Sequence, residues 1–164
     1  MSSAATLLVD DDVGFSASIL STFSESEVLV DWAQGWVEGL ELFRVVLHEL
    51  VIADYNLPRS EHGLKLLAGM KPLRPSSRLI LISAALTSKA EEIVKQTRLV
   101  DRYLAKTEAS FAEELVGEVR RASRRASEPS DWHAVATGYV TQQSIYSNDI
   151  KRIDALLQGE LKDS

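Results

Sequence analysis

The chain contains no cysteine, so neither disulfides nor thiolate metal sites are available to it, and a reducing interior suits its chemistry. It also lacks any long hydrophobic run. None approaches the roughly 18 residues that span a bilayer, and the N-terminus MSSAATLLVD has no basic region leading into a long apolar segment. A soluble, cytoplasmic protein without membrane contact is expected. Basic residues are outnumbered, 18 lysines and arginines against 24 aspartates and glutamates, and the formal net charge of −6 argues against non-specific nucleic-acid binding. Arg120, Arg121, Arg124 and Arg125 form a local exception. Near the end of a helix they suit a solvated face that favours the helix dipole. What is present is ordinary globular material: 164 residues, 45% hydrophobic and 26% charged, enough for one compact domain and an additional element.

Short apolar runs alternate with longer segments of helical period. TLLVD at 6–10 reads as a first strand, and Phe15, Ile19, Leu20 and Phe23 then share one helical face. EVLVDWA at 27–33 reads as a second strand, and 35–50 repeats the helical pattern through Trp36, Leu40, Phe43 and Leu47. ELVIAD is a third strand, GLKLLAGMK at 63–71 a short helix, and Pro72 and Pro75 punctuate its end. SRLILIS suits a strand buried on both faces. LTSKAEEIVKQT forms a fourth helix, RYLAK a fifth strand, and a long helix runs from near Ala109 to about Ser127. Strict alternation predicts an α/β fold with a parallel sheet and helices on both faces, because parallel neighbours need crossover connections.

In such sheets, sites form where the carboxyl ends of the strands emerge. Chemically distinctive residues stand at those ends: Asp10, Asp11 and Asp12 after the first strand, Asp54 after the third, Ser83 at the fourth and Lys106 at the fifth. Taken singly, each has a plain structural role. Asp12 fits a helix N-cap, Ser83 a loop hydroxyl and Lys106 a solvated lysine. Together they converge. Carboxylates held close repel one another unless protonated or neutralised by a hard divalent cation, for which Mg2+ is expected. An aspartate can attack phosphorus to form an acyl phosphate, with the lysine balancing charge and the serine hydrogen-bonding a phosphoryl oxygen.

Through LLVDDD, VIADYNLP, LILISA and RYLAK, residues 5–125 resemble the receiver domain of two-component response regulators. The resemblance implies a flavodoxin-like five-stranded sheet of order 2-1-3-4-5. It also implies that Asp54 accepts a phosphoryl group from a sensor histidine kinase or phosphotransfer protein. Asp11 would ligate magnesium directly, Asp10 through water, and Asn56 through its backbone carbonyl, with Asp54 completing the metal set. Lys106 and Ser83 would support the transfer, and Ser83 and Tyr103 would act as the switch pair. Output would run to a downstream protein target, or to a homodimer through the face of the fourth helix, fifth strand and fifth helix. Such a protein is a signalling module, not an enzyme acting on other molecules.

Two features depart from the family pattern. Gly63 follows Pro58 by five residues instead of four, and His62 in that loop reads as a surface histidine, not a catalytic base. Thr107 stands where a proline usually follows the lysine, so a trans Lys106–Thr107 bond is open to it. Ala85, two past Ser83, has no acid or amide to orient a water, which predicts no unusually fast loss of phosphate from that side.

A receiver over 1–126 leaves 127–164 as a linker, SEPSD, and a helical extension. Ile150, Ile153, Leu157 and Leu161 share one helical face there, away from Lys151, Arg152, Asp154 and Glu160. The tail is too short for a winged-helix output domain of about 70 residues. It is expected to fold back on the receiver, pair with another subunit through the C-terminal helix, or dock on a partner. Two rival readings are a haloacid-dehalogenase-like phosphatase using Asp10 and Asp12, and a pseudo-receiver scaffold. The first leaves Asp54 without a purpose, and the second expects a lost acidic or lysine position where none is lost.

Overall fold

Thr6–Val9 forms β1, a strand buried at every residue. It lies at the heart of a computed structural model that describes residues 4–59, 61–85, 87–126, 151 and 153–158. The other strands of its sheet are β2 (Val30–Ala33), β3 (Leu50–Asp54), β6 (Arg78–Ser83) and β7 (Arg102–Ala105). Between them, β4 (Asn56–Leu57) and β5 (Glu61–His62) form a separate two-stranded antiparallel hairpin. The main sheet runs β2-β1-β3-β6-β7, all parallel, which is the expected order 2-1-3-4-5 when its five strands are counted along the chain.

Period-two side-chain alternation sorts the strand residues onto two covered faces. Leu7, Val9, Val51, Ala53, Leu79 and Leu81 belong to one apolar cluster, and Leu8, Leu50, Ile52, Ile80, Ile82 and Leu104 to the other. The first is roofed by α2 (Trp36–Val46), α3 (Gly63–Met70) and α4 (Ser88–Thr97), through residues such as Phe43, Leu67 and Ile93. The second is roofed by α1 (Val13–Glu25) and α5 (Phe111–Ala126), through Ile19, Phe23, Leu115 and Val119.

Two boundaries fall short of the sequence reading, for local reasons. The second strand begins at Val30, not Glu27, because α1 ends in a Schellman turn. Val28 N–H bonds the Phe23 carbonyl at 3.0 Å and Glu27 N–H the Ser24 carbonyl at 3.1 Å, with Glu27 left-handed at φ 56°. The second helix ends at Val46, because Leu47 takes the left-handed C-cap (φ 53°) and is 39% exposed instead of facing the core. The Lys106–Thr107 bond is trans, since the described residues contain no cis peptide.

Gly63 fixes α3 against the end of β3. Its N–H donates to the Tyr55 carbonyl at 2.9 Å, and a Cβ there would lie 1.9 Å from the Asp54 carbonyl oxygen. Only glycine permits that approach.

Residues 153–158 are helical and fold back on the sheet domain. Ile153 (0% exposed) and Leu157 (4%) join the cluster that holds the α3 leucines, and Asp154 forms an ion pair with Lys65 on α3. Ile150 and Leu161, the other two residues of the expected apolar face, lie outside the described residues, as does the SEPSD stretch. No helix among the described residues is long and apolar enough to cross a membrane.

Candidate functional site

Backbone hydrogen bonding brings the strand ends to one edge. Asp10 N–H donates to Ala33 O at 3.0 Å, Tyr55 N–H to Ile82 O at 2.8 Å, and Lys106 N–H to Ser83 O at 2.9 Å. Each bond extends the parallel ladder by one residue beyond a strand. Asp10, Asp54, Ser83 and Lys106 are thereby held by the sheet itself and not by free loops.

Asp10 is fully buried, Asp54 is 8% exposed and Asp11 is exposed. Oxygens of all three carboxylates lie within 4.8 Å of one another. One ammonium answers them: Lys106 Nζ donates to Asp10 Oδ2 at 2.6 Å and to Asp54 Oδ2 at 3.3 Å. Asp11 has no hydrogen bond or ion pair among the described residues, so the group keeps unbalanced negative charge. Such an all-oxygen donor set fits a hard divalent cation.

The titration of the pair reflects this balance. Burial raises the Asp54 pKa above the ordinary carboxylate range; Lys106 opposes the shift, and the neighbouring Asp10 charge adds to it. For Lys106, burial disfavours the ammonium. The Asp10 hydrogen bond and the charges of Asp54 and Asp10 outweigh it, so its pKa is raised.

The remaining expected residues have definite places. Asn56 N–H points to Asp54 Oδ1 at 3.4 Å, and Asn56 pairs with His62 in the β4–β5 hairpin. Ser83 is fully buried, and its hydroxyl donates to the Ala85 carbonyl at 3.0 Å, a bond it must exchange to reach a group on Asp54. Tyr103 is half-buried on β7, and its pKa is raised by burial and then by Glu91 and Glu108. Asp12 caps α1, accepting from Phe15 N–H at 2.9 Å, and stands outside the three-carboxylate group. His62 is a half-buried strand residue whose ring lies 5.3 Å from that of Tyr55, not a surface histidine.

Two residues at the site were not singled out in the sequence. Phe15, counted only as part of an apolar face, places its ring 4.1 Å from Lys106 Nζ and 5.7 Å from the Phe111 ring. Its position in the first turn of a helix that starts at the site is the signal that could have found it. Trp32, on β2, donates its indole N–H to the Asp10 carbonyl at 2.9 Å.

The sequence matches no family model and no curated protein. Solved structures do match. A CheY-like receiver domain protein from Methanospirillum hungatei superposes with a TM-score of 0.66 at 21% identity, over 76% of this chain and 99% of that one. A receiver domain from Clostridium thermocellum gives 0.65 at 22%, over 75% and 96%. The fold is that of a response-regulator receiver domain. The receiver domain of NtrX from Brucella abortus, at 24% identity and a TM-score of 0.62, covers 73% of this chain and 98% of that one.

Proposed function

We propose that this chain is a phosphorylation-activated receiver in which Asp54 accepts a phosphoryl group from a sensor histidine kinase or a phosphotransfer protein. The observation that carries the reading is the Lys106 ammonium, shared between Asp10 and Asp54 beside a third, unbalanced carboxylate. An Asp54 oxygen attacks phosphorus, the O–P bond forms as the P–N bond of phosphohistidine breaks, and the electron pair leaves with the imidazole, which takes a proton from solvent. Lys106 follows the developing charge on the phosphoryl oxygens, and Ser83 exchanges its bond to Ala85 for one of them. Mg2+ held by Asp10, Asp11, Asp54 and the Asn56 carbonyl would neutralise the remaining charge when bound.

Output runs through protein contacts, to a downstream target or a second copy, on the α4–β7–α5 face that carries Tyr103. Residues 1–126 form the receiver and 127–164 its extension, working in the cytoplasm. The dehalogenase-like alternative needs Asp12 as a second catalytic carboxylate, and Asp12 is engaged as the α1 cap.

Incubation with Mg2+ and phosphoramidate, followed by mass spectrometry of the modified residue, tests the reading. Label on Asp54, and none in Asp54→Asn, is expected. Label on Asp10, or on no aspartate, overturns it. A phosphate lifetime unaffected by Ala85→Glu would separately remove the role given to that position.

A further inference from the structure

We propose that the flank of α3 is a docking surface whose occupant is this chain's own residues 153–158, and that docking there opposes phosphorylation at Asp54. The proposal rests on the receiver reading above.

The buried residues of α3 are unusually widespread for a surface helix. Leu64, Leu66, Leu67, Ala68 and Met70 are all buried, and at about 100° per residue they span roughly 200° of the helix circumference. A helix lying on a sheet typically needs an apolar stripe of about 100° or somewhat more. The C-terminal helix packs into the same cluster. Ile153 and Leu157, one turn apart on the same face, are buried in the apolar cluster that contains Leu64 and Leu67. Lys65 lies on the part of the helix outside that buried arc and pairs with Asp154, which ties the C-terminal helix to α3.

The same helix starts directly against the acceptor's backbone. Gly63 is bonded to the Tyr55 carbonyl at 2.9 Å and leaves no clearance over the Asp54 carbonyl. Lys65 follows two residues later. A phosphoryl group on Asp54 would load residues 54–56, and Gly63, which has no clearance over them, couples that load to α3. Close-packed interfaces respond to such shifts by changing state, not by stretching. The seat for Ile153 and Leu157 is complementary to the unphosphorylated arrangement, so phosphorylation favours release. By linkage, release favours phosphorylation by the same factor.

The absence of cysteine makes this directly measurable, because Leu157→Cys creates the only thiol in the full chain. In unphosphorylated protein a thiol reagent should label it slowly. After treatment with phosphoramidate and Mg2+, with Asp54 modification verified by mass, labelling should accelerate about tenfold or more, and Asp54→Asn should abolish the change. Lys65→Glu should accelerate labelling without phosphorylation and tighten beryllofluoride binding in calorimetry. Adding Asp154→Lys to that variant should reverse both effects. Rapid labelling before phosphorylation, or an unchanged rate on protein shown to carry phosphate, overturns the proposal. Failure to phosphorylate Asp54 at all would instead overturn the receiver reading beneath it.

Discussion

At the carboxyl ends of the strands, Asp10 and Asp54 share the Lys106 ammonium, and Asp11 lies beside them without an ion pair among the described residues. At the amino ends, three carboxylates meet three guanidiniums. Glu118, fully buried, is bonded to Arg78 Nε and lies 3.3 Å from Arg102 and 3.4 Å from Arg121; Glu114 pairs with Arg102 at 2.5 Å and Asp101 with Arg78 at 3.8 Å. The acids shift in opposite directions. Asp54 is raised, first by burial, whereas Glu114 is lowered, first by its hydrogen bond from Ser110 and then by Arg102. Buried charge that is matched in number holds the fold together. At the carboxyl ends the carboxylates outnumber the one ammonium.

Removing an acid from each end should break the symmetry between them. Glu118→Ala leaves Arg78 and Arg102 without their shared partner and should cost about 3–5 kcal/mol in urea unfolding, while Asp54 still accepts phosphate. Adding Mg2+ should raise stability through the opposite end only, by about 2.7 kcal/mol at a hundredfold excess over its dissociation constant, and Asp11→Asn should remove most of that gain. Phe15→Leu removes the ring beneath Lys106 Nζ, an interaction worth about 0.5–2 kcal/mol, and should slow phosphorylation severalfold, with Phe15→Tyr close to wild type. Asp54→Asn should produce the smallest change in stability, and a favourable one. Because the folded pKa of Asp54 lies above its unfolded value, the native state is penalised as pH rises through that raised pKa. The advantage of the variant, read from urea midpoints, should therefore grow from acid to neutral pH and then level off.

Most of the fold was legible because the sheet is covered on both faces. RLILIS can be little but an interior strand, and each such strand delivers its polar residue to the same edge. The site was legible for the same reason, as spacing along the chain became proximity in space. What stayed hidden depended on partners that a periodicity does not name. Leu47 kept the apolar spacing of its helix, yet capping placed it in a left-handed turn. Arg121, read with its neighbours as a solvated face, reaches Glu118. Phe15 looked like core, and the group it touches is 91 residues away in sequence, Lys106 minus Phe15. For the C-terminal helix, the apolar face was evident, but the groove that receives it is formed by residues no local pattern could select.

The bond from Trp32 to the Asp10 carbonyl gives the acidic cluster an optical reporter. An indole whose N–H is held at 2.9 Å by the backbone carbonyl of Asp10 sits within the local field of that cluster. Its emission should respond when charge arrives at Asp10 and Asp11, so that occupancy of the site can be followed in the unlabelled protein, and Trp32→Phe silences the signal.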